Sequence, residues 1–430
     1  MRGTGPSLGV AATASYASGS FGTGIFSAVP SILLLYYCTE ILRLPPAWAA
    51  GIVFAPKAWS IIWDPFVGAW SDSAATRIGR RRPFLIAGAA GVSLSFIALF
   101  SPPDLSVAGT GIWVACAYFA LATLYSLFAV PYVAIPAEID AEPEARARLV
   151  TWRMFVVMIG VLTGGGIVPL LVQVGGGGRA GYAWMSLWVA AACAIAMCGP
   201  VYMLRGRDSS HVATHDARRP KPGRSLWAAL SHRRFVRLIC AYLLQLTAVG
   251  SISAAGPYLV TGAFGRPEGD IGIAMLGMLV LATITIPLWG WAGLRFGNAW
   301  MLTIAVVGYG AAAALLGCLA WNGAPWGMAL ASIALLGVPF AAMQVLPYTM
   351  VAHLIHEHMR DGSAAEGSFT GVWTATEKLG MALGPGLTGV VLSFAGREVS
   401  GALAVYCMAV PALLTLASVP LIRRHRADPA

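Results

Sequence analysis

Twelve runs of predominantly apolar residues alternate with short polar connections along the chain, near 14–40, 48–71, 84–101, 110–139, 149–174, 181–204, 235–264, 270–293, 298–320, 326–352, 367–393 and 400–422. Each is long enough to cross about 30 Å of hydrocarbon as a helix. The runs are continuously apolar and show no strict alternation, which argues against a transmembrane β-barrel. With no water to satisfy exposed backbone groups, each span must close its own hydrogen bonds, and the helix does so. The longest polar stretch, 205–234, falls between the sixth and seventh runs and carries Arg207-Asp208-Ser209-Ser210-His211 and Arg218-Arg219-Pro220-Lys221-Pro222-Gly223-Arg224. The pattern predicts an all-α membrane protein of twelve transmembrane helices in six-plus-six order. An N-terminal bundle occupies 1–204, a basic cytoplasmic linker 205–234 and a C-terminal bundle 235–430.

Composition points the same way. Hydrophobic residues make up 58% of the 430 positions and charged residues 11%, against roughly 25% charged in a soluble domain. Fifty glycines suit helices that approach closely in lipid, where small residues form the contacts. With the N-terminus inside, twenty lysines and arginines fall in cytoplasmic loops or ends and four in outer loops. That bias sets both termini on the cytoplasmic side. It also accounts for the net charge of +10 through the anionic inner leaflet, with no nucleic-acid partner. The N-terminus, Met1 to Val10, has no compact apolar core, so no cleavable signal peptide is expected.

Enzymatic signatures are absent. Seven cysteines (Cys38, Cys116, Cys193, Cys198, Cys240, Cys318, Cys407) are scattered without metal or disulfide spacing. His353, His356 and His358 with Glu357 sit at the end of the tenth run and read as a solvated helix end, not a metal cluster. The glycine runs 164–166 and 175–178 read as packing and a flexible loop, because a phosphate cradle needs a strand before and a helix after. Neither an enzyme nor a bound cofactor is expected.

The chemistry lies in the charges within the apolar runs. Asp64 stands in the second run and Lys378 in the eleventh, and the chain has only three lysines, Lys57, Lys221 and Lys378. A charge inside a membrane span costs a few kcal/mol and marks an ion or proton site by default. Asp64 beside Pro65 also suits a helix kink, and Lys378 a structural counter-charge. Lys57, seven residues before Asp64 and on roughly the same face, either snorkels outward or lines the outer vestibule. Glu377 points about 100° away from Lys378. Asp72, Arg77, Arg80, Arg81 and Arg82, with Glu138, Arg146 and Arg148, form a candidate cytoplasmic gate of opposite charges. The reading is an ion-coupled carrier.

A six-plus-six layout is that of the major facilitator fold, whose solute sites lie near the midplane between its halves. Several stretches are more specific. They are Tyr16-Ala17-Ser18-Gly19-Ser20-Phe21-Gly22, Leu35-Tyr36-Tyr37-Cys38-Thr39-Glu40, Trp63-Asp64-Pro65-Phe66-Val67-Gly68, Gly79-Arg80-Arg81-Arg82-Pro83-Phe84, Val130-Pro131-Tyr132 and Gly367-Ser368 through Lys378-Leu379-Gly380. In order and spacing they resemble the glycoside–pentoside–hexuronide:cation symporters, from about Tyr16 to Gly396.

The resemblance implies a cation site at Asp64 and Ser60, which share a helix face at i, i+4, helped by Ser126 and opposed by Lys378. It implies a solute contact at Arg153. Lys57, Trp373 and Tyr132 are further candidate solute contacts, and Asp72, Arg77, Arg81, Glu138 and Arg146 the candidate gating residues. The family's sugar-binding acids align with Gly24 and Ala129, and its helix-four tryptophan with Val133, so the cation machinery is better preserved than the sugar clamp. The expectation is H⁺- or Na⁺-coupled symport of a small organic solute, most simply a sugar or glycoside. A lipid-like solute, export, or a non-transporting membrane sensor are the alternatives. The chain is expected to act as a monomer in a bacterial-type cytoplasmic membrane, with its solute and the bilayer as its partners.

Overall fold

The computed structural model describes residues 9–74, 76–138, 143–205, 231–360, 366–395 and 399–427. The described residues are helical with short connections and contain no strand. The chain divides into two compact units, Met1–Thr214 and His215–Ala430.

In the first unit α1 (Val10–Val29) runs on through π-type turns at Pro30–Leu34 and Tyr37–Ile41. Pro30 has no N–H to give to the ladder, so the backbone there widens instead of ending. α2 (Pro46–Ser73), α3 (Arg82–Phe100) and α4 (Val107–Glu138) follow. α5 (Pro143–Leu162) continues through a π-type turn at Thr163–Ile167 into α6 (Val168–Val174), making one long segment, and α7 (Gly178–Met203) completes the unit. The second unit holds α8 (Arg233–Tyr258, extended by a π-type turn at Leu259–Ala263), α9 (Gly269–Phe296), α10 (Asn298–Trp321), α11 (Trp326–Arg360), α12 (Glu366–Ala395) and α13 (Val399–Ala427).

Eleven of these helical segments are long and apolar enough to cross a membrane. The twelfth, α2, has 28 residues and so the length, about 42 Å at 1.5 Å per residue. Its apolar character is diluted by Lys57, Asp64, two internal prolines and four tryptophans. The helix that reads least like a span is the one that carries the candidate chemistry.

Both units pair their helices in the same way. In the first, α1 packs on α5 and α7, α4 on α2 and α3, and α3 on α7. In the second, α8 packs on α12 and α13, α11 on α9 and α10, and α10 on α13. The closest crossings are made by glycine. A Cβ at Gly24 of α1 would stand 2.4 Å from the Val157 carbonyl and 2.9 Å from Gly160 Cα of α5. At the equivalent crossing, a Cβ at Gly384 of α12 would stand 2.4 Å from Gly250 C of α8. Backbones meet there with no side chain between them, as small residues permit in lipid.

Candidate cation and solute sites

α2 is held to α4 by a ladder of polar contacts one turn apart. Trp59 Nε1 donates to Thr123 Oγ1 at 3.2 Å, and Trp63 Nε1 to the Thr123 carbonyl at 3.2 Å. One turn along, Ser126 Oγ donates to Asp64 Oδ1 at 2.6 Å. Ser126 is buried. The indoles bracket Thr123 and fix the rotation of α2, so the carboxylate meets the α4 hydroxyl.

Ser60 behaves differently. It is buried, and its hydroxyl donates to the Pro56 carbonyl of its own helix at 3.1 Å. A donated hydroxyl keeps its lone pairs, so Ser60 and Ser126 both retain acceptor capacity toward a cation. Lys57 is half-buried and donates to Ser31 Oγ at 3.2 Å, while Ser31 donates to the Ser27 carbonyl at 2.8 Å. Its side chain therefore reaches α1 and the widened turn that follows it.

Tyr132 and Trp373, expected to touch solute, are taken out of reach by packing. Tyr132 has no exposed surface. Its hydroxyl takes up a 2.6 Å contact with Ser20 Oγ and donates to the Tyr16 carbonyl at 2.8 Å, while Tyr16 Oη donates to the Tyr132 carbonyl at 3.3 Å. These bonds lock α1 to α4. Trp373 is 3% exposed and lies flat on Tyr242 of α8, with ring centroids 4.2 Å apart. In this conformation neither presents a surface to a ligand.

Arg153 is half-buried, with its guanidinium 5.9 Å from the centroid of the Tyr132 ring. Its Nε is buried without a hydrogen-bond partner among the described residues. Gly24, aligned with an acid in the family it resembles, stands against the α5 backbone where no side chain fits. Ala129 is half-buried and Val133 half-exposed, so neither position offers a polar group.

At the proposed gate, Arg81 is 4% exposed and donates to the buried Ser71 hydroxyl, which itself donates to the Gly68 carbonyl at 3.0 Å. Arg77 is exposed in the turn, where Thr76 Oγ1 donates to the Gly79 carbonyl at 2.6 Å and Gly79 adopts φ 106°. The side chains of Asp72, Glu138 and Arg146, and those of His353, His356, Glu357 and His358, lie outside the described residues. Among the described residues no group of histidines, cysteines and acids could hold a metal ion.

Lys378 lies half-buried on α12. The residue before it has the more definite partner, for Glu377 Oε2 accepts from Tyr348 Oη of α11 at 2.6 Å. Sequence reading left Glu377 and Tyr348 out of the site, as it did Trp59, Trp63 and Thr123. The only sequence signal was a second charge beside Lys378 in an apolar run, and two tryptophans four residues apart next to Asp64.

A family model described as MFS/sugar transport protein matches residues 15–427. The isoprimeverose transporter of Lactiplantibacillus pentosus is 21% identical over 89% of this chain and 80% of its own length. The sodium-dependent lysophosphatidylcholine symporter 1 of Homo sapiens is 24% identical over 85% of this chain and 72% of its own length. Among solved structures, a D-xylose-proton symporter superposes with a TM-score of 0.71 over 98% of this chain and 99% of its own, at 15% identity. That likeness shows the fold.

Proposed function

Because this chain belongs to the MFS/sugar transport protein family, we propose that it is a secondary active transporter that moves a small organic solute, a sugar or glycoside, together with H⁺ or Na⁺. The observation that carries the reading is the 2.6 Å hydrogen bond from Ser126 to Asp64, which joins α4 to α2 around a carboxylate inside a membrane helix. An ionised carboxylate at that depth is costly, and a bound cation offsets the cost. A proton adds directly to Asp64. Sodium, a hard cation, takes oxygen ligands, and Asp64, Ser126 and Ser60 are oxygen donors on two adjoining helices. Neutralising Asp64 stabilises the arrangement that binds solute. The coupling is reciprocal, so solute raises cation affinity by the same factor. One charge crossing about 100 mV supplies roughly 2.3 kcal/mol, or about fifty-fold accumulation.

Arg77 and Arg81, with Asp72, Glu138 and Arg146, belong in this reading to the cytoplasmic gate. Arg153, Lys57 and Lys378 belong to the solute and cation pathway. The positive-inside bias supports two cytoplasmic termini in a bacterial-type inner membrane, and the carrier works as a monomer.

The test is thermal stabilisation of purified protein by isoprimeverose, D-xylose and lysophosphatidylcholine, with and without Na⁺, at acidic and neutral pH. Stabilisation by a sugar should depend on Na⁺ or on acid in the wild type and lose that dependence in Asp64→Asn. If H⁺ is the coupling ion, Ser126→Ala should lower the proton concentration needed by about ten-fold, because the lost hydrogen bond stabilises ionised Asp64. If the ion is Na⁺ and the Ser126 oxygen a ligand, the same variant should raise the Na⁺ concentration needed. An Asp64→Asn protein with the wild-type cation response would sink the coupling assignment. A lipid-like solute is the second reading, supported by the lysophosphatidylcholine symporter's similarity over most of this chain. Stabilisation by lysolipid and by neither sugar would select it.

A further inference from the structure

We propose that Glu377 and Tyr348 form a solute subsite in the C-terminal unit. In it the Tyr348 ring stacks on an apolar face of the ligand, and the second carboxylate oxygen of Glu377 accepts hydrogen bonds from ligand hydroxyls. The proposal rests on the sugar or glycoside reading above and names a part of the chain that recognises it.

Glu377 belongs to the candidate span Gly371–Ala395, and Tyr348 to the span Trp326–Val351. A carboxylate in such a position faces the protein interior or a water-filled path, because facing lipid is prohibitively costly. Tyr348 Oη occupies Oε2 at 2.6 Å, while Glu377 Oε1 has no hydrogen-bond partner among the described residues. The residue is only half-buried, so that oxygen is presented in a fixed direction. Tyr348 is 42% exposed. Behind it, Trp373 meets its ring at 5.4 Å and 69°, and Tyr242 stacks on Trp373 at 4.2 Å. Trp373 and Tyr242 are themselves buried, so the exposed ring stands on a rigid aromatic base. Such preorganisation spares a ligand the entropy of ordering the site.

The chemistry selects the ligand class. The Glu377 oxygen that Tyr348 leaves open can accept a hydrogen bond, and a ligand hydroxyl can donate it. Lys378, the next residue along α12 and half-buried, already brings a positive charge to this part of the helix, which disfavours a cationic ligand. A neutral molecule with hydroxyls along one edge and C–H groups on one face meets both demands, and a glycoside is such a molecule.

Isothermal titration of isoprimeverose into purified wild type, Glu377→Gln and Tyr348→Ala tests the subsite. Glu377→Gln should weaken binding by roughly ten- to hundred-fold, the range for a hydrogen bond to a charged group. The melting temperature of the ligand-free protein should stay close to wild type. Tyr348→Ala should also weaken binding, and it carries the test alone if Glu377→Gln fails to fold. Wild-type affinity in both variants overturns the subsite while leaving the sugar reading intact. So does a Glu377→Gln protein that keeps its affinity but loses proton uptake on binding, since Glu377 would then be a proton carrier. If wild type binds lysophosphatidylcholine and not isoprimeverose, or neither, the subsite and the sugar reading fall together.

Discussion

At the scale of single residues, Ser126 has one proton and two acceptors within reach. Its oxygen lies 2.6 Å from Asp64 Oδ1 and 3.1 Å from the Ala122 carbonyl of its own helix. While Asp64 is ionised the carboxylate wins, because a hydrogen bond to a charge is about twice as strong as one between neutral groups. Once Asp64 is neutralised, that advantage disappears and the hydroxyl returns to its own helix. Glu268, just before α9, obeys a different logic. Its Oε2 is buried without a partner among the described residues, and burial pushes its carboxyl above the ordinary 4.5. The folded protein then holds this proton more tightly than the unfolded chain. Stability contributed here is therefore present at low pH and declines as pH rises from about 4.5 through the raised value. Glu268→Gln should flatten that part of the stability profile and raise the melting temperature at neutral pH. Melting curves across acidic to neutral pH check this, and an unchanged slope in the variant would refute it.

Among the elements, the glycine crossings define how close the helices come. Gly24 against Gly160, and Gly250 against Gly384, sit on equivalent helix pairs of the two units, α1 with α5 and α8 with α12. Gly24→Ala or Gly384→Ala would drive a methyl into facing backbone, which cannot swing aside as a side chain can. Each should cost about 1–3 kcal/mol, the range for overpacking. Gly290→Ala in α9 meets nothing within 4 Å and should be neutral or slightly stabilising, since alanine is the better helix former. Thermal unfolding of the three variants side by side decides it, and equal melting temperatures would contradict the crossing argument. The same crossing explains why an acid cannot stand at position 24. The α1–α5 approach that stiffens the unit also removes the space a sugar-binding carboxylate there would occupy.

The whole molecule shows one helix-pairing scheme used twice, in Met1–Thr214 and again in His215–Ala430. The proposed orientation rests on charge, because arginines resist translocation and stay on the anionic side. In a background with the cysteines replaced, Arg77→Cys should resist a membrane-impermeant thiol reagent on intact cells, and Leu105→Cys should react. The reverse pattern would invert the topology.

The spans and their order were legible from the chain alone, because a bilayer leaves the backbone one economical way to satisfy its hydrogen bonds and sets the length required. Asp64 was legible for the same reason, since a carboxylate in an apolar run stands out by its cost. α2 shows the limit of that signal, as the residues that make it chemically interesting dilute its hydropathy. Which hydroxyl meets Asp64 depended on helix rotation. Ser60, four residues away, turns to its own helix, while Ser126, 62 residues along the chain, makes the bond. Tyr132 and Trp373 are buried in packing, and Glu377 found its partner in Tyr348, 29 residues away. Local sequence determines which segments become helices and which charges they carry. Tertiary structure alone decides which faces meet, because the crossing angle and rotation of each helix are set by close packing against neighbours distant in the chain.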